Sequence, residues 1–321
     1  MYLIRILISF LLFSMLTAIE TIISSPVVIT CEAPILETCV VIANDRINSI
    51  DDRIQIIGAD MNVERFFSVT GFYALSKNIN MKFIPSNIFM QMPNLAYFFA
   101  HDVQLEELPT NTFRECSKLL QISLQENKLR NLGEGFAEGC SKTLYLLDLS
   151  YNQLSALNAN SFKGLTSLTV LNMNFNFIEV IEKGTFDNMP ALSLITLDMN
   201  KISFIHPATF TSLTSLNSLV LTNNKIKVIK SGWFANKTYF ERVNLKNNEI
   251  VAVDSKIFDT WMITNSNETQ LKISYNLNLE GNDCIDMELK KISEKTIPYF
   301  KNSLNRCFVE YEENYYYKNF P

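Results

Sequence analysis

A spacing of 24 residues runs through the middle of this chain of 321 residues: Leu144, Leu147, Leu149 and Asn152 return as Leu168, Leu171, Met173 and Asn176, then as Leu192, Ile195, Leu197 and Asn200. A unit that short cannot bury its own apolar face, so it must stack on its neighbours to make a continuous core. The same positions are filled earlier by Leu119, Ile122, Leu124 and Asn127, and later by Leu216, Leu219, Leu221, Asn224 and by Phe240, Val243, Leu245, Asn248. A second spine keeps step, with Phe113, Phe136, Phe162, Phe186, Phe210, Phe234 and Phe258 trailing the asparagines and Phe89 beginning the series.

Alternating leucines put one side of a short strand into the core and leave the residues between them facing outward. One strand per unit, stacked about 4.8 Å apart, makes a parallel sheet. The asparagines then lie over one another where the chain bends out of the strand, and their amides can satisfy backbone groups of adjacent coils. Both the asparagines and the phenylalanines are therefore expected to be architectural.

The pattern L-x-x-L-x-L-x-x-N-x-[LI]-x-x-[LI]-x-x-x-x-F resembles the leucine-rich repeat family in its extracellular form, as in Toll-type ectodomains, over residues 70–280. The resemblance implies an α/β solenoid, a horseshoe with a parallel sheet on the concave face, loops and short helices on the convex face, and disulfide-bonded caps. It also implies a binding role rather than catalysis.

The ends of the chain bear on compartment. Arg5 precedes the apolar run 6–16, which small residues follow, and Glu20 interrupts it short of the length a spanning helix needs. This reads as a secretory signal cleaved between Ala18 and Ser25, and no other stretch could span a bilayer. The expected divisions are a signal peptide at 1–25, an N-terminal cap with a degenerate first coil at 26–70, repeats at 71–280, a C-terminal cap at 281–310 and an acidic, tyrosine-rich tail at 311–321. The tail reads as a solvated end, or as a docking strip for a basic partner if its tyrosines are sulfated.

The six cysteines form local pairs. Cys31 and Cys39 precede the repeats and Cys284 and Cys307 follow them, where the family resemblance implies cap disulfides. Cys116 and Cys140 occupy one point of successive coils; they are either two buried thiols or a bridge between coils. Asn236 and Asn267 begin glycosylation sequons. The second falls where the spacing breaks, so 261–270 reads as an expanded loop before a last coil built on Leu271, Ile273 and Asn276. At the other end, 47–97 holds poorly matched strand-like segments, and Val103 stands where an asparagine is expected.

Catalytic chemistry finds no foothold. His101 and His206 are the only histidines and sit far apart in the repeat, leaving neither a nucleophile–base pair nor a histidine metal cluster. No cofactor and no metal are expected. A net charge of -5 with no basic block argues against nucleic acid.

Recognition by the sheet remains. Reading outward positions coil by coil gives one column of Tyr97, Gln121, Leu146, Val170, Leu194, Ser218 and Arg242, and a second of Asp102, Glu126, Tyr151, Phe175, Met199, Asn223 and Asn247. In both columns the middle three coils turn apolar. Leu146, Val170, Leu194, Tyr151, Phe175 and Met199, with Phe177 beside them, are expected to form one patch for an extracellular or cell-surface protein. Its flanks carry Glu126 and Asp102 on one side and Arg242, Lys246 and Lys272 on the other, a gradient that would orient a partner. A second copy of the chain could also cover the patch. A self-associating matrix component and an inhibitor of an extracellular enzyme are the alternative roles.

Overall fold

The computed structural model describes residues 27–32, 38–44, 54–58, 69–75, 79–85, 87–235, 240–254, 256, 262–265, 268–271, 273–290 and 297–310. The expected signal peptide, the sequon asparagines Asn236 and Asn267, Phe258, Lys272 and the tail lie outside the described residues.

One sheet of 13 strands runs the length of the molecule. From Thr38–Asn44 through Gly71–Leu75, Tyr97–His101, Gln121–Ser123, Leu146–Asp148, Val170–Asn172, Leu194–Thr196, Ser218–Val220 and Phe240–Asn244 to Ile273–Asn278, every neighbouring pair is parallel. The register follows the repeat, pairing Leu146 with Val170, Val170 with Leu194, Leu194 with Ser218 and Ser218 with Arg242. Antiparallel pairs flank this parallel run on both sides: Val27–Glu32 against Thr38–Asn44, and Glu288–Lys290 against Ile273–Asn278. Ile54–Gly58 pairs with Val27–Glu32 at the N-terminal edge.

Behind the sheet the core leucines are fully buried, among them Leu147, Leu171, Ile195 and Leu219. Burying each such side chain contributes about 1.5–3 kcal/mol. The aromatic spine packs ring on ring from Phe89 to Phe113 at 5.3 Å, Phe113 to Phe136 at 6.2 Å, and Phe186 to Phe210 at 6.0 Å. A tryptophan outside the expected series also joins it. Phe210 meets Trp233 edge-on at 6.4 Å, and the indole N–H reaches the Ile205 carbonyl at 3.2 Å. Trp233 is buried within the short 3₁₀ turn Ser231–Phe234. The side chain of Phe234 is outside the described set.

Seven asparagines form the ladder: Asn127, Asn152, Asn176, Asn200, Asn224, Asn248 and Asn282 accept from the backbone N–H of Leu105, Leu129, Leu154, Ile178, Ile202, Ile226 and Ile250 respectively. Each also donates back to a carbonyl of the preceding coil, as Asn176 does to Leu149 at 3.0 Å. The last rung corrects the sequence reading. The final coil is built on Leu277, Leu279 and Asn282, with Val243 paired to Leu277, and not on Leu271, Ile273 and Asn276. The insertion before it is correspondingly longer, and Met262–Asn265 and Glu268–Leu271 form an antiparallel pair within it.

Short parallel pairs line the flank of the solenoid, Val180–Ile181 with Phe204–Ile205 and Val228–Ile229 with Ala252–Val253. Two helices are described, α1 at Ile88–Gln91 and α2 at Ile297–Glu310. α2 packs against Ala252–Val253 and is fastened by the Cys284–Cys307 disulfide, whose Cα atoms are 5.3 Å apart. Cys116 and Cys140 are bonded to each other, Cα to Cα 5.1 Å, so they bridge adjacent coils and are not free thiols. Cys39 is buried and disulfide-bonded; the side chain of Cys31 lies outside the described residues.

Candidate binding surface at the edge of the sheet

Every coil leaves the sheet through one residue with left-handed backbone. The φ values are 58° at Glu126, 56° at Tyr151, 54° at Phe175, 54° at Met199, 53° at Asn223, 53° at Asn247 and 67° at Gly281. The turn is needed because it aims each N–H along the sheet at the next coil, Tyr151 to the Asn174 carbonyl at 2.9 Å and Phe175 to that of Asp198 at 2.8 Å. Glycine takes this conformation freely and asparagine readily, whereas other side chains are strained there by about 1–2 kcal/mol. The C-terminal coils use Asn223, Asn247 and Gly281. The middle three put Tyr151, Phe175 and Met199 there, and the coil before them Glu126.

Those side chains are also in solvent, with 49%, 38% and 44% of their surfaces exposed. Tyr151 and Phe175 stack face to face, their centroids 4.2 Å apart and 9° from parallel. Phe177 lies just past the turn and is exposed, with the Lys201 ammonium 4.8 Å above its ring. Two further exposed residues, Val180 and Phe204, continue onto the flank. Sequence reasoning missed them, although they share one repeat position four residues beyond the asparagine; extending the column reading past the ladder finds both.

Leu146, Val170 and Leu194 do line the sheet face in one column, each half-buried. They do not merge with the turn residues. Two positions along each strand, a polar column intervenes, in which Asp148 accepts from Gln125 at 2.7 Å and Asn172 at 2.9 Å, and Asn172 accepts from Thr196 at 2.8 Å. The expected single patch is therefore two strips, because the alternation that buries the leucines places Asp148, Asn172 and Thr196 outward between the two apolar columns.

The N-terminal coils carry a separate aromatic group on the same face. Tyr73 meets Phe99 edge-on at 5.2 Å, and Phe99 stacks on His101 at 5.9 Å. His101 Nε2 lies 2.7 Å from Ser123 Oγ. Burial lowers the His101 pKa below 6.5, and the carboxylates of Asp148 and Glu126 partly oppose that. His206 is in a loop, its Nδ1 accepting from the Ala208 N–H at 3.1 Å. The expected charge gradient is weaker than its residue types suggest. Lys246 is paired with Glu280 at 2.8 Å, which raises the lysine pKa, and leaves Arg242 as the unpaired cation of that flank among the described residues.

Among the described residues no cluster of His, Cys, Asp and Glu has the arrangement of a metal site, and no helix is long and apolar enough to cross a membrane.

A profile described as leucine rich repeat matches residues 122–176, 142–202, 169–226 and 192–250. No curated protein matches the chain in sequence. Among solved structures it is similar to Toll in the Toll–Spatzle complex of Drosophila, described as a hub in development and innate immunity, at 19% identity and a TM-score of 0.46 over 67% of this chain. It is similar also to an internalin from Listeria monocytogenes, at 16% identity and a TM-score of 0.45 over 64% of this chain. A third similar structure is that of a TLR13–ssRNA13 complex, at 21% identity and a TM-score of 0.47 over 62% of this chain. The chain spans 36%, 55% and 32% of these three proteins.

Proposed function

Because the chain is a leucine-rich repeat protein, whose core leucines and ladder asparagines are consumed by holding coil to coil, we propose that it acts through its surface, binding an extracellular or cell-surface protein at the edge of the sheet. The anchors are Tyr151, Phe175, Met199 and Phe177, with Leu146, Val170 and Leu194 as a second strip across the polar column. Secretion through the leader at 1–25 and glycosylation at Asn236 and Asn267 belong to the same proposal, as does a role in immune, adhesive or signalling recognition.

One observation carries this reading. Three successive coils hold large apolar side chains exposed, on left-handed backbone where the preceding coils use Asp102 and Glu126 and the following ones Asn223, Asn247 and Gly281. Neither the core nor the turn needs a stacked aromatic pair there; a partner that buries it gains rigid, flat, apolar area of the kind that dominates protein interfaces. The polar column beside it supplies hydrogen-bonding groups at the rim.

The test is a cross-linked capture from extracellular fluid and cell surfaces, comparing wild type with a folded Phe175→Asp, Met199→Asp variant. Proteins retained by wild type alone support the site. Equal retention by both refutes it.

A further inference from the structure

On the sheet face of the first coils, Tyr73, Tyr97, Phe99 and His101 are each half-buried. The Phe99 ring lies 5.2 Å from Tyr73 at 84°, 6.4 Å from Tyr97 at 66°, and 5.9 Å from His101 at 21°. Two tyrosine rings therefore stand steeply to a third ring, and the imidazole stacks beside it. Gly71 makes room for this: a Cβ there would lie 2.5 Å from Tyr73 Cε2, so the Tyr73 ring leans across the glycine toward Tyr97, with which Gly71 pairs. Phe72 and Phe98 fill the core behind the sheet, so packing does not require aromatic side chains on the outward side as well.

The charge around these rings is negative. None of the strands from Gly71–Leu75 through Val170–Asn172 contains lysine or arginine. Asp102 and Glu126 stand at the turn end of the group, and among the described residues neither is in a salt bridge. Asp148 is buried, bonded to Gln125 and Asn172, and its carboxylate and that of Glu126 both act on His101. The nearby lysines lie off the face: Lys82 pairs with Glu106 at 2.9 Å, Lys128 shares a cleft past the turn with Glu106 and Glu107, and Lys118 donates to Asn94 before the strand begins. Arg242 is six coil steps from Tyr97, about 29 Å along the sheet and beyond the range of an unscreened charge.

We propose that this group binds a small organic cation, an alkylated ammonium compound, against the rings of Tyr73, Tyr97 and Phe99, with Asp102 and Glu126 balancing its charge. Aromatic faces attract such cations through the ring quadrupole, and several rings around one site are the form in which quaternary ammonium groups are recognised. The neighbouring neutral side chains favour a cation that donates no hydrogen bonds. Ser123 is engaged with His101, Gln121 with Tyr145 and Gln125 with Asp148, whereas a sugar or a primary ammonium needs acceptors free. Burial holds His101 below its ordinary pKa, so the imidazole brings no competing positive charge at neutral pH. Size points to a small ligand. The rings extend about 13 Å along the strand and about 5 Å across it, far less than the roughly 800 Å² that a protein partner covers. The site is separate from the turn edge and does not rest on the partner proposed above.

The experiment is calorimetric titration of the full chain with choline and with its uncharged isostere, in which a tert-butyl group replaces the trimethylammonium. The expected results are saturable binding of choline, binding of the isostere weaker by about tenfold or more, and a loss of about tenfold in affinity for choline in Phe99→Leu and in the double variant Asp102→Asn, Glu126→Gln. The double variant keeps every ring and the size of both side chains, so it reads charge alone even if Phe99→Leu fails to fold. No saturable binding of choline, equal affinity for the isostere, or unchanged affinity in the double variant would overturn the proposal. Retention of a lysine-rich peptide without uptake of choline would assign the rings to a protein partner and overturn it too. Phe175→Asp with Met199→Asp should take up choline as wild type does, so failure of capture at the turn edge leaves this result unaffected.

Discussion

Replacing Met199 by asparagine should make the protein more stable. The residue stands at φ 54° with 44% of its surface in solvent, while the equivalent positions two coils on either side run from Tyr151 to Asn247 at nearly the same φ. Relief of the left-handed strain is worth about 1–2 kcal/mol for a residue free to adopt it, and asparagine recovers most of that. Against this stands the apolar surface Met199 does bury; at about 25 cal/mol per Å², partial burial of one methionine offsets roughly 0.5–1 kcal/mol. The net expectation is a gain of about 0.5–1 kcal/mol, an increase of roughly 1–4 °C in Tm for a domain of this size. The backbone N–H of residue 199 keeps its bond to the Thr222 carbonyl at 3.0 Å, so the turn itself is unchanged. Thermal and urea unfolding of Met199→Asn beside wild type measure this directly. A fall in Tm of more than about 2 °C would mean that Met199 is part of the fold's packing, and the argument that it is there for a partner would fail.

Other consequences are equally specific. Asn176→Ala removes the acceptor for the buried Leu154 N–H and the bond to Leu149, and should cost about 2–4 kcal/mol in chemical unfolding; a loss under about 0.5 kcal/mol would show that the ladder is dispensable. Cys116→Ala with Cys140→Ala opens a loop with a sequence separation of 24 and should cost about 3 kcal/mol, read as a drop in the urea midpoint with a slope equal to or steeper than wild type as the unfolded chain expands. His101 is held below its ordinary pKa of 6.5, chiefly by burial, so the folded state resists its protonation. Stability is then full above 6.5 and falls as pH drops from there toward the lowered folded value; His101→Asn should flatten that slope, and equal slopes for both proteins would count against it.

The repeat was legible because its causes are local and recur. Leucine alternation fixes which side of each strand is buried, and the asparagine amide has one backbone geometry to satisfy, so column and register follow from spacing alone. Legibility failed where a single residue outweighed the spacing. Leu277-Asn278-Leu279-Glu280-Gly281-Asn282 carries the full strand-and-ladder signature, with Gly281 at the left-handed position, yet the nearer Leu271, Ile273 and Asn276 fit the expected spacing better. Trp233 joins the aromatic spine beside Phe210 although the 24-residue spacing does not single it out. On the surface, Phe175 and Met199 could be picked out as outward residues, but their left-handed backbone, shared with Glu126, is invisible in the sequence. The separation of the turn edge from Leu146, Val170 and Leu194 depends on a polar column between them, which a two-column reading passes over.

The most direct measurement is site-specific photocross-linking. Benzoylphenylalanine is placed singly at Tyr151, Phe175 and Met199 on the turn edge, and at Phe99 and Thr196 on the sheet face, and each folded protein is irradiated in extracellular fluid and on cell surfaces. The account predicts a common cross-linked species from the three turn positions and none from Phe99. Cross-links from Phe99 or Thr196 with none from the turn would contradict it and move recognition onto the sheet.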